Sequence, residues 1–84
     1  NINTESVDIK NPDIMYTEAL NLFENKSYDL AFEKFHEIEL KFPLSNEALQ
    51  SQIMMAFIYY IKLEYETAVL KLEKIINKMY EDEK

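Results

Sequence analysis

The chain contains no cysteine and no glycine, and only two prolines among its 84 residues. Without cysteine there can be no disulfide, thiolate metal site or cysteine nucleophile, and either redox compartment is allowed. Sheets joined by tight hairpins normally use glycine at positive φ, so its absence points to helix. The same absence removes the phosphate-cradling loop and the sharp turn of a calcium-binding loop. Long apolar runs are missing too. The longest, Ile53 to Ile61, has nine residues where a membrane span needs ~20, so it reads as a buried core helix. No signal peptide is visible. The chain does not begin with Met, which points to a processed protein or an excised segment.

What is present fits one small domain with a modest core. Hydrophobic residues make up 48% and aromatics 13%, enough to bury a core and to exclude wholesale disorder. The formal net charge is −7. Phosphate backbones and anionic membrane surfaces both repel such a chain, so nucleic acid is excluded as a partner and anionic lipid is disfavoured.

An internal repeat organises the rest. Ala31 and Ala68 lie 37 positions apart. At the same offset Ala19 meets Ala56, Phe23 meets Tyr60, Tyr28 meets Tyr65 and Phe35 meets Leu72. Ile38 meets Ile75, and Phe42 meets Met79. So many in-register matches in size and polarity describe one structural unit used twice.

Each unit carries two helical stripes. Met15, Ala19 and Leu22 share one face, after Asn11 as N-cap and Pro12 at the first helical position. The pattern breaks at Asn25-Lys26-Ser27, where Ser27 can cap a second helix bearing Ala31, Phe35, Ile38 and Phe42. Pro43 ends that helix. Ser45 is the expected N-cap of a third helix reaching about Lys62, with Glu47 near its positive end. A fourth helix is expected from Tyr65 to about Tyr80. The predicted class is all-α, two antiparallel helical hairpins of an α-solenoid fragment, because short connections make neighbours antiparallel. The expected division is a disordered tail over 1–10, units over 11–43 and 44–80, and a charged tail over 81–84.

This pattern resembles the tetratricopeptide repeat. That family keeps small residues where its two helices cross, and Ala19, Ala31, Ala56 and Ala68 fill those places. Leu22 and Tyr59, Phe35 and Leu72, and Pro43 match other family positions, while Tyr80 departs from the usual proline. The 37-residue unit exceeds the family's 34. More narrowly, three segments resemble the BamD-like lipoproteins of the bacterial outer-membrane β-barrel assembly machine. They are Glu24-Asn25-Lys26-Ser27-Tyr28, Lys41-Phe42-Pro43-Leu44-Ser45 and Ala56-Phe57-Ile58-Tyr59-Tyr60. That family carries further repeats and a lipidated N-terminal cysteine, so the resemblance implies a segment lying after the anchor.

The resemblance also implies a function. In such repeats the first helix of each hairpin lines a peptide groove. Here its positions are Asp13, Tyr16, Leu20, Phe23 and Glu24, then Gln50, Ile53, Phe57, Tyr60 and Ile61. Leu20 and Ile53 serve core or groove equally well. Tyr16, Phe23, Gln50, Phe57 and Tyr60 are the expected peptide-binding residues. The implied partners are polypeptides: unfolded outer-membrane proteins and subunits of the barrel assembly machine, at the periplasmic face of the outer membrane. Independently, the last helix spreads apolar surface over a wide arc where a terminal helix should be polar. Val69, Leu72, Ile76 and Met79 are therefore expected to form an assembly surface, for a further repeat, another chain or a second copy. The competing expectation is an adaptor, periplasmic or cytoplasmic, that assembles through this helix and leaves its groove idle. Catalysis finds no support. The lone His36 reads as a surface histidine, the serines lack a neighbouring base, and no cofactor or metal ligand set is recognisable.

Overall fold

The computed structural model describes residues 11–83. The 1–10 segment, expected as a tail, and Lys84 lie outside the described residues. Four helices follow in order: α1 (Pro12–Glu24), α2 (Tyr28–Lys41), α3 (Asn46–Ile61) and α4 (Tyr65–Asp82). Among the described residues there is no strand. The chain is all-α, folded as two antiparallel helical hairpins. Each helix packs on the next, and α1 also packs on α3, whereas no backbone contact joins α2 to α4.

The helix starts follow their capping chemistry. Asn11 is extended at φ −134°, ψ 155°, and its Oδ1 accepts from the Ile14 amide at 2.9 Å. Ser45 adopts φ −83°, ψ 157°, and its Oγ accepts from the Ala48 amide at 3.0 Å while donating to the Phe42 carbonyl. Ser27 occupies the N-cap place of α2, but its side chain makes no capping bond. Its ψ of 68° takes it out of the extended conformation that aims a hydroxyl at the first turn. At α2's other end the Phe42 amide bonds to Ile38, and Pro43 cannot continue the helix. The last helix runs through Glu81 and Asp82, two residues beyond the expected end at Tyr80.

Both hairpins turn by the same device. The Ser27 amide reaches the Leu22 carbonyl and the Lys26 amide reaches Phe23, each at 2.9 Å. In the second hairpin the Glu64 amide reaches Tyr59 and the Leu63 amide reaches Tyr60, again at 2.9 Å. This is the Schellman arrangement, which satisfies carbonyls orphaned at a helix end and calls for a left-handed residue. Lys26 and Leu63 take that place at φ 64° and 67°, in a chain that has no glycine to put there.

Small residues let the helices meet. Ala19, Ala31 and Ala56 are fully buried and Ala68 nearly so. Met15, Phe35, Ile38, Ala48, Met55, Ile58 and Ile75 complete the buried apolar set around them. Ion pairs add little at this exposure. They join Lys34 to Glu18 at 3.4 Å, Lys41 to Glu37 at 2.8 Å, and Lys62 to Asp29.

Leu63 is largely exposed, so its side chain contributes little burial to set against the strain of left-handed backbone, about 1–2 kcal/mol. Glycine's greater chain entropy offsets part of that. Leu63→Gly is expected to stabilise by about 0.5–1 kcal/mol, read as a melting temperature several degrees higher. An unchanged or lower melting point would contradict the strained-turn account.

Candidate peptide-binding face

The first helices of the two hairpins, α1 and α3, turn matched faces to the same side. On α1 that face carries Tyr16, Leu20 and Phe23, spaced i, i+4, i+7. On α3 it carries Gln50, Ile53, Phe57 and Tyr60, at i, i+3, i+7, i+10. Contact between α1 and α3 brings the two rows together.

Rings run across this face without a break. Tyr28 meets Phe23 edge-on at 5.4 Å between centroids. Phe23 meets Phe57 at 5.8 Å, joining the hairpins. Phe57 stacks on Tyr60 at 6.2 Å and 11° between planes, and Tyr60 meets Tyr65 at 5.2 Å. Five rings thus connect all four helices. Phe57 is 46% exposed and Tyr60 55%, while Phe23 is half-buried against the core.

The other expected groove residues divide. Gln50 is exposed on the first half of α3. Tyr16 packs its ring on the buried Phe35 at 5.6 Å, and burial pushes its phenol pKa up. It therefore anchors the face to the core more than it displays a ring. Leu20 is half-buried against the core, whereas Ile53 is 41% exposed. Tyr28 and Tyr65 belong to the ring series but were outside the expected groove, because they start the second helix of each hairpin. Their shared 37-residue offset was the signal that marked them.

The polar edges are acidic. Asp13 on α1 lies beside Glu47 in the first turn of α3, and Glu47 has its carboxyl pKa raised, chiefly by a hydrogen bond with the Asp13 side chain. The Glu47 amide works in the opposite direction. At the far end, Lys62 hydrogen-bonds Asp29, which raises the lysine pKa.

Ser51 is fully buried, and its Oγ has no hydrogen-bond partner, so no base is aligned with it. His36 is exposed on α2. Among the described residues no group of three His, Asp or Glu side chains is placed to hold a metal ion. Among the same residues no helix is long and apolar enough to cross a membrane.

The last helix has an exposed apolar side of its own. Val69, Leu72, Ile76 and Met79 form a stripe, each between 39% and 53% exposed. Their counterparts one unit earlier are Phe32, Phe35, Glu39 and Phe42. Those are buried or half-buried where α3 packs on α2: Phe32 meets Tyr59 edge-on at 5.3 Å, and Glu39 accepts from Gln52 at 2.9 Å.

Two hairpins crossing on small residues, with a ring-lined face and an open terminal helix, define a helical-repeat scaffold of the tetratricopeptide type. Residues 9–83 match the YfiO family, described as outer membrane lipoprotein. The chain belongs to this BamD-like family, which is related to outer-membrane assembly. No curated protein and no solved structure matches it.

The Asp13–Glu47 pair fixes a pH dependence. A raised carboxyl pKa means that the folded chain holds a proton more tightly than the unfolded one. The pair therefore contributes stability in acid, and that contribution is lost as pH rises through the raised Glu47 pKa. Asp13→Asn removes the repulsion. It is expected to raise the urea midpoint at neutral pH, with the gain closing as the pH falls and Glu47 protonates. A gain of equal size at every pH would contradict the pairing.

Proposed function

We propose that this chain is a client-binding module for unfolded outer-membrane proteins during β-barrel assembly, acting at the periplasmic face of the outer membrane. The observation that carries this reading is the unbroken ring series from Tyr28 to Tyr65, in which Phe57 and Tyr60 stay half-exposed. A soluble domain usually buries such rings unless a partner covers them. Phe23, Phe57 and Tyr60 would receive the apolar side chains of an extended segment. Gln50 offers a polar contact along the same row, and Tyr16 holds the floor in place. Family membership supplies the setting, outer-membrane assembly with protein partners. An aromatic-rich β-strand segment matches the face in chemistry, because its alternate side chains present rings on one side. Tyr60→Ala is expected to weaken binding of a peptide ending in such a strand by ~1–2 kcal/mol, measured by calorimetry. Unchanged affinity would remove the groove assignment.

A second reading rests on the α4 stripe. Its counterparts on α2 are covered by the first helix of the following hairpin, so Val69, Leu72, Ile76 and Met79 offer the same seat to a helix. On this reading the chain is an adaptor that assembles through α4. Ile76→Lys is then expected to abolish assembly, or self-association seen by sedimentation, while Tyr60→Ala leaves it intact. A clean monomer at high concentration, with no partner bound through α4, would contradict it.

A further inference from the structure

The opposite side of α3 carries a second feature that the ring face does not use. Gln52, Met55 and Tyr59 recur at i, i+3, i+7, well over a quarter-turn from the row of Ile53, Phe57 and Tyr60. They floor a groove between α2 and α4, the two helices whose backbones stay apart. Phe32 from α2 and Ile75 from α4 complete an apolar bed. The cavity measures about 530 Å³. It opens into a neighbouring hollow that shares His36, Glu39, Gln52, Ile75 and Lys78 and reaches Pro43 and Leu44. Lined by α4 from Lys71 to Asp82, the trough is roughly 16 Å long at the helical rise of 1.5 Å per residue, the length of about five extended residues.

Cations outnumber carboxylates along it, with Lys71, Lys74 and Lys78 set against Glu39 and, at the far end, Asp82. Lys71, Lys74 and Lys78 line one wall and His36 stands on the other, in a protein of net charge −7. None of the three lysines makes an ion pair within the described residues. The equivalent places on α2, one unit earlier, are Lys34, Glu37 and Lys41. There Lys34 pairs with Glu18 and Lys41 with Glu37. The ion pairs that α2 makes at these places have no equivalent on α4 among the described residues, and Lys74 stands where α2 has Glu37. Of the two carboxylates among the described lining residues, Glu39 is already held by Gln52 at 2.9 Å and Asp82 lies in the outer hollow.

We infer that this trough is a docking site for an acidic, partly apolar segment of another polypeptide, separate from the ring face. Carboxylates of that segment would meet Lys71, Lys74 and Lys78, and its apolar side chains would enter the bed of Phe32, Met55, Tyr59 and Ile75. Charge complementarity selects this occupant. An anionic bilayer is a poorer match, because the apolar bed is recessed between helices and the chain as a whole repels such a surface. The elongated shape suits a peptide segment better than a compact small molecule. The ring face and the trough lie on different sides of α3, so a client and an acidic partner fit at the same time.

The test uses the 84-residue chain and a short fluorescein-labelled peptide alternating Asp or Glu with Leu and Phe, followed by anisotropy at low and raised salt. Binding is expected to weaken with salt and to weaken about tenfold in the triple variant Lys71→Gln/Lys74→Gln/Lys78→Gln. These side chains are exposed, so the fold should survive, and unchanged circular dichroism verifies it. Tyr60→Ala is expected to bind the acidic peptide normally. Replacing Leu and Phe of the peptide by Ser is expected to abolish binding, as is replacing its acids by Lys. The inference is overturned if the triple variant binds equally well, or if Tyr60→Ala loses the peptide. It is also overturned if the lysines respond only to inorganic phosphate or to phosphatidylglycerol vesicles and not to the peptide.

Discussion

At Ala19, Ala31, Ala56 and Ala68 nothing larger than a methyl group stands at the buried helix contacts, and the rest of the molecule follows from that closeness. A close crossing lets short turns join the helices and keeps the core narrow. Each added methylene there would force side chains off their rotamers or move the backbone, at a cost of about 1–3 kcal/mol. With so thin a core, the large side chains cannot all be interior. Phe35, Ile38, Met15, Ile58, Met55 and Ile75 are buried, and most other rings and aliphatic side chains lie along the helix faces. Geometry at the alanines therefore decides which apolar residues become surface, and surface of this kind is what the module has to offer a partner.

Much of this was legible in the sequence because it depends on local chemistry and on spacing. Asn11-Pro12 and Ser45 announce helix starts through caps that need only their own neighbours, and both form their bonds. The 37-residue offset placed the alanines, and all four are buried. What stayed hidden depends on backbone conformation or on tertiary contact. A chain with no glycine gives no sign of left-handed residues, yet Lys26 and Leu63 both adopt that conformation because the Schellman turns demand it. Ser27 looked like a cap by residue type, but the same turn fixes its ψ away from the capping geometry. The Asp13–Glu47 pairing joins residues on different helices, and no local pattern could reveal it.

The candidate surfaces show the same split. The resemblance to the repeat family put Tyr16, Phe23, Phe57 and Tyr60 on one face. It did not reveal that Tyr16 packs on Phe35 or that Tyr28 and Tyr65 extend the ring series at both ends. The lysine-walled trough depends on the gap between α2 and α4, which exists only because α3 lies between them. In this account α3 is the shared spine: one side presents rings, the other floors a cationic groove, and α4 leaves an apolar stripe free for assembly. Three chemically different surfaces on four short helices suit a scaffold that handles more than one polypeptide.

The central claim is that the alanine crossings hold Phe23, Phe57 and Tyr60 together as a receptor for extended apolar chain. It is tested most directly by intermolecular nuclear Overhauser contacts between the isotope-labelled protein and an unlabelled strand peptide rich in aromatics. The account predicts contacts from the peptide to the ring protons of Phe23, Phe57 and Tyr60, and none to the methyl groups of Val69 or Ile76. Contacts confined to α4, with the three rings silent, would contradict it.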